Sequence, residues 1–354
     1  MTSSHSSPST YGDERLAAHA RAADLIGLAW PERLRRVRED RAFADPSFIE
    51  LSISLGRDFG LPADEREGWA RLAVEAALKG RSCRAEELVP LAWAVLGTAH
   101  RAQDRLSAGR AAFMRCHETR YRIADPLELS DTFWFESAYW SEIGMWSSRA
   151  ELAGRLGARG REAMAKAAEL IDEALLLATA SGADGAICAY QTQAGLIAER
   201  AGRPSSAIML LLSAVDRIDP AAHPRMALVA GHNLASAAIA LGQLDAAMDG
   251  ILRLQHQYEL VYDPIAEPRV LLFRDHLLAR IARAQGHLRD AEDRFYAIRE
   301  GFLRHGMLLS AADIDLSLAQ LAAERGCYTV AEKVAARALR VLLASGATAP
   351  AQSA

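Results

Sequence analysis

The chain has 354 residues, 51% hydrophobic and 24% charged, which is enough apolar material for two ordinary domains or one long array and excludes wholesale disorder. Its 41 basic and 45 acidic residues are interspersed to a formal net charge of −4, which argues against the basic stripe of a protein that coats nucleic acid. No run of about 18 consecutive apolar residues occurs, so no membrane span is expected.

Residues 1–12 open with MTSSHSSPST, polar and without the apolar run of a secretion signal, and are expected to be disordered. Residues 13–44 read as an N-terminal helical cap. Within it Arg33, Arg35, Arg36, Arg38 and Arg41 alternate with Glu32, Glu39 and Asp40, the pattern of a solvated helix face, while Leu34 and Val37 can turn to the core. Asp45-Pro46 starts the next element. Ile49, Leu51, Ile53 and Leu55 alternate with polar residues as a strand would, but helical neighbours on both sides make 47–57 a helix. A helix over 65–79 follows, then a helix pair over 84–124 closed by Asp125-Pro126.

Residues 128–146 concentrate aromatics: Phe133, Trp134, Phe135, Tyr139, Trp140 and Trp146. The spacings Phe135–Tyr139 and Phe133–Trp140 fit one helix face turned to the core. Trp134 and Trp146 are left as a candidate aromatic interface. Register is lost over 128–182, where stretches at 148–157 and 160–180 suggest one inserted helical segment. From Asp184 the pattern is regular, with pairs at 184–201 and 204–218, 225–241 and 244–260, 267–285 and 288–304, and 308–325 and 328–344. The tail 345–354 is expected to be disordered.

The regularity is a repeat. AGLIAERAGRPSSA, LASAAIALGQLDAA, LARIARAQGHLRDA and LAQLAAERGCYTVA place Gly202, Gly242, Gly286 and Gly326 at one turn, 40, 44 and 40 residues apart. LGTAHRAQDRLSAG is a weaker copy with Asp104 at the turn. Small residues stand where paired helices cross: Gly97, Gly195, Ala235, Ala279 and Ala319 on first helices, and Gly109, Ala207, Ala247, Ala291 and Ala331 on second helices. No pair can bury its apolar faces alone, so pairs must stack.

These phrases resemble the tetratricopeptide repeat, and the chain is similar to the helical-repeat halves of bacterial regulators. The resemblance implies an all-α, right-handed α-solenoid over 45–344, irregular around 128–182. It also implies a concave groove lined by first helices, in which the family holds peptides. The matching groove positions are Thr192, Gln193 and Leu196; His232, Asn233 and Ser236; His276, Arg280 and Arg283; and Asp313, Ser317 and Gln320. Asn233 matches the asparagine that bonds a bound peptide's backbone in some members, whereas the other repeats carry Gln193, Leu277 and Ser317 there.

Catalytic motifs are absent from the sequence. The histidines are scattered, with no His-Glu-x-x-His, no phosphate-binding glycine loop and no nucleophile elbow. Gly154, Gly157 and Gly160 have no strand before them. Asp313 and Asp315 are two apart and cannot face each other on a helix. Cys83, Cys116, Cys188 and Cys327 form no Cys-x-x-Cys and are expected to be buried free thiols. The sequence therefore points to a non-enzymatic, cytoplasmic adaptor or sensor that needs no cofactor or metal. Its partner would be a protein or peptide, not nucleic acid or membrane. The alternatives are a self-associating scaffold and, further off, an all-helical toroid enzyme.

Overall fold

The computed structural model describes residues 8–152, 158–263 and 269–345, which are helical almost throughout. They divide into two compact units, one of Met1–Ala102 with Ala108–Phe135 and one of Gln103–Ser107 with Glu136–Ala354.

The first unit holds α1 (Pro8–Ile26), α2 (Trp30–Glu39), α3 (Pro46–Arg57), α4 (Ala63–Lys79), α5 (Cys83–Arg101) and α6 (Leu106–Thr119), and α7 (Pro126–Leu152) starts within it. Helix α1 begins inside the polar N-terminal stretch. Short polar residues set several starts: Asp45 accepts from the Ser47 amide at 2.7 Å, Ser82 from Ala85 at 3.1 Å and Asp125 from Leu127 at 2.7 Å. On α3 the buried positions are Phe48, Ile49, Ser52, Ile53 and Gly56, so the helical period wins over the strand-like alternation. In the basic run Val37 is buried, Arg35 bonds Glu32, and Arg38 pairs with Glu75. Arg33 departs from the solvated reading. It lies over the Trp30 ring at 4.1 Å and donates from Nη2 to the Ile26 carbonyl at 2.6 Å and from Nε to the Leu28 carbonyl at 2.8 Å.

The second unit continues with α8 (Arg159–Ala180), α9 (Asp184–Arg200), α10 (Pro204–Val215), α11 (Pro224–Ala240), α12 (Leu244–Arg253), α13 (Gln255–Val261), α14 (Val270–Ala284), α15 (Leu288–Arg304), α16 (Leu308–Glu324) and α17 (Tyr328–Ala344). The four regular pairs fall where the repeat places them, with one second helix broken at Leu254 into α12 and α13. At the turns Gly202, Gly242, Gly286 and Gly326 have φ of 74°, 76°, 82° and 75°, and Asp104 has φ 58°. This left-handed conformation suits glycine and is tolerated by aspartate. Ala207, Ala247 and Ala291 are wholly buried at helix crossings, and a Cβ on Gly195 would lie 2.5 Å from Leu211. Apolar clusters sit between successive pairs: Ala198 with Leu211 and Ala237, Leu228 with Ile251 and Leu277, and Phe295 with Phe302 and Ile314.

Two expectations are corrected. The aromatic segment and the stretch from 148 are one continuous helix, α7, because nothing between Pro126 and Leu152 breaks it; Gly144 sits in it against Met164. The two long helices α7 and α8 form an extended pair, with no inserted helix among the described residues. Cys116 and Cys188 are buried, but Cys83 and Cys327 are exposed, since both lie at helix starts. The segments 153–157 and 264–268, with Gly154, Gly157 and two proline-bearing connections, and the tail from 346 lie outside the described residues.

Candidate functional site

The first helices of the second unit carry a connected polar cluster. On α11 and α14, Ser236 and Arg280 are four-residue successors of His232 and His276, so each helix presents two polar groups on one face. Arg280 Nη1 donates to Ser236 Oγ at 2.8 Å, and Ser236 Oγ donates to Glu199 Oε1 of α9 at 3.1 Å. Three consecutive repeats are thus tied by one chain of hydrogen bonds. His232 Nδ1 and the Tyr258 hydroxyl are bonded at 2.8 Å, and the His276 ring meets Phe295 edge-on at 6.0 Å.

Burial, then His276 and Arg280, push the His232 imidazole down to about 3. Burial, then Arg280 and Arg149, do the same to His276, also to about 3. Both rings are therefore neutral near pH 7, each offering one donor and one acceptor nitrogen. Burial also lowers the pKa of the Arg280 guanidinium, opposed by Glu199 and Asp313 and reinforced by Arg149 and Arg283. Arg149 of α7 pairs with Asp313 of α16, which brings the extended pair and the last repeat to the same cluster.

The sequence-derived positions separate into three groups. His232, Ser236, His276, Arg280 and Asp313 belong to this cluster. Arg283 and Gln320 are engaged with each other: Arg283 Nη1 donates to Gln320 Oε1 at 2.8 Å, and its Nε reaches Glu324 at 3.2 Å. Arg283 is therefore a repeat-to-repeat tie rather than a free cation. Gln193 and Asn233 are inward polar groups. The Gln193 Nε2 is buried without a hydrogen-bond partner, and Asn233 is 9% exposed with no side-chain hydrogen bond to a described residue. Leu277, at the matching position, is core.

Asp313 and Asp315 point apart, as their spacing requires. Asp315 is buried and receives Arg299 Nε at 2.7 Å and Arg337 Nη2 at 2.6 Å. The aromatic interface is revised. Trp146 is 6% exposed and so packs in the interior, because α7 is enclosed on several faces; Trp134 is half-buried with its ring 4.9 Å from Phe135. Sequence reasoning missed Glu199, Arg149 and Tyr258. Glu199 lies three residues past Leu196 on the same face and was findable. Arg149 lies where the repeat register fails.

Among the described residues no group of three or more histidines, cysteines or carboxylates could hold a metal ion. No helix among them is long and apolar enough to cross a membrane.

No protein-family model matches the chain, and no curated protein matches it. Solved structures do. A Rap protein complexed with competence and sporulation factor is 11% identical, with 84% of this chain and 97% of that one covered at a TM-score of 0.57. The apo form of RapI is 10% identical, covering 84% and 99% at 0.55. Aspartyl phosphate phosphatase F from Bacillus subtilis is 11% identical, covering 100% and 99% at 0.54. Identities this low speak for the fold alone. The stacked helix pairs, the left-handed turns and these likenesses together show an all-α, tetratricopeptide-like helical-repeat fold similar to that of the bacterial Rap structures.

Proposed function

We propose that the protein is a non-enzymatic regulatory module that binds an extended protein or peptide segment along the inner face of its second unit, acting in the cytoplasm. The observation that carries this is a row of inward polar groups on successive first helices whose hydrogen-bonding capacity the described residues match only in part. Gln193 on α9, Asn233 on α11, and His276 and Arg280 on α14 make up the row. Among the described residues only Nη1 of Arg280 has a hydrogen-bond acceptor, which leaves its other donors to a ligand. Leaving a buried donor such as Gln193 Nε2 unmatched costs about 1–3 kcal/mol, and a peptide backbone, with a donor and an acceptor per residue, is suited to match this row. One similar structure is a complex with competence and sporulation factor, so an array of this fold does take up a ligand.

The test is capture of a partner from the source cell by wild type, Asn233→Ala with Arg280→Glu, and Trp134→Ala. Loss in the α11–α14 variant alone is expected, with capture that weakens modestly as salt rises. Retention by that variant removes the inner-face reading. Loss of self-association in Trp134→Ala alone would favour the scaffold.

A further inference from the structure

Stacked repeats contact mainly their nearest neighbours, and two polar contacts among the described residues of the second unit depart from that rule. Arg149, near the end of α7, pairs with Asp313 of α16. Asp104, in the segment 103–107, accepts a hydrogen bond through Oδ2 from the Leu309 amide of α16 at 3.1 Å. Leu309 and Asp313 are one helical turn apart, so both contacts fall on the first half of α16.

Each contact has a chemical reason. Helix α16 starts at Leu308, and its N-cap residue Met307 has no side-chain acceptor for the first amides. The Asp104 carboxylate supplies that acceptor from far along the chain and puts a negative charge at the positive end of the helix. It also accounts for an oddity of the sequence. Asp104 holds the left-handed turn position that glycine holds at 202, 242, 286 and 326, and it is the one described non-glycine residue with positive φ. Glycine would fit the turn with less strain, but it has no carboxylate to offer α16. The Arg149–Asp313 pair lies beside the inner-face cluster: Ala279 of α14 shares one buried cluster with Ala311 and Ile314 of α16, and Arg283 of α14 bonds Gln320 of α16 at 2.8 Å, so Arg149 also acts on the charge of His276 and Arg280. With side-chain exposures of 33% and 13%, the pair is partly solvated and so breakable.

We propose that Asp104 and Arg149 form a two-point latch that holds α16 closed and governs access to His276 and Arg280 on the inner face. The latch stands on its own geometry; its use in admitting a peptide rests on the binding reading above.

The experiment reads access directly. Diethyl pyrocarbonate modification of His276 is followed by mass spectrometry in the full chain, with exposed His256 and His305 as internal standards. Hydrogen exchange of the first turn of α16 is measured in parallel. In Asp104→Gly/Arg149→Gln, whose turn residue is that of the regular repeats, His276 should react about fivefold or more faster relative to the standards. The Leu309 amide should exchange faster by a similar factor, as expected for a lost cap. Asp104→Asn, which keeps an acceptor oxygen, should leave that amide near wild type, and Arg149→Asp with Asp313→Arg should return His276 to its slow rate. An unchanged His276 rate in the double variant, or no recovery in the charge exchange, overturns the latch. A chain that shows the expected pattern yet captures no segment keeps the latch and removes the binding reading.

Discussion

Burial decides the chemistry of the inner histidines. Free imidazole titrates near 6.5, whereas His232 and His276 are held neutral down to about 3. As pH falls through 6.5 the unfolded chain takes up two protons that the folded chain refuses. The stability present above about 6.5 is therefore lost progressively toward pH 3, by up to about 1.4 kcal/mol per histidine per pH unit. Urea unfolding midpoints between pH 7 and pH 4.5 should fall more steeply for wild type than for His232→Asn/His276→Asn. Parallel slopes would mean that neither ring is protected from protons. The same residue-scale logic applies to Arg280, whose proposed part in binding rests on how few of its donors the described residues use. Arg280→Lys keeps the charge but loses the planar fork, so capture of a segment should weaken without loss of fold.

At the scale of elements, small residues at crossings set how closely helices pack. Ala247 is wholly buried between α11 and α12, inside the cluster of Leu228, Ile251 and Leu277. Ala247→Leu forces side chains off their rotamers or spreads the pair, at about 1–3 kcal/mol. Arg253→Ala, on the exposed side of the same helix, should change stability by less than about 0.5 kcal/mol. Thermal melts of the two variants check this, and similar melting would contradict the packing described. Gly242→Ala tests the turn: with φ at 76° a side chain is strained whatever the space around it, and a loss of about 1 kcal/mol is expected. Helix α7 carries a different lesson. Several small hydroxyl side chains on it are buried, including Ser130, Ser137, Ser141 and Ser147. Ser130 is satisfied inside its own helix by donating to the Leu127 carbonyl at 2.7 Å, and Ser141 accepts from Arg200 Nη1 of α9 at 2.9 Å.

For the molecule as a whole, far-UV circular dichroism should be dominated by helix, and a substantial strand contribution would be incompatible with the described residues. What the sequence determined by itself had local causes, although the continuity of α7 and the exposure of Cys83 and Cys327 were misread. The repeat period, the helix bounds within a few residues, the left-handed turns and the buried alanines each follow from a residue and its near neighbours: a glycine that fits φ above zero, a proline that starts a helix, an apolar stripe of helical period. The positions His232, Ser236, His276, Arg280 and Asp313 came from the resemblance to the tetratricopeptide repeat, and the structure joins them through contacts between helices. Which of those groups are satisfied was decided only in three dimensions. Arg283 meets Gln320 and Glu324 one repeat away, Trp146 is enclosed, and Arg149 and Asp104 reach α16. These outcomes depend on contacts between residues tens to hundreds of positions apart, and no periodicity records a partner at that distance. Asp104 marks the boundary: its sequence shows that a glycine is missing from a turn, and only the tertiary structure shows the helix end that its carboxylate serves.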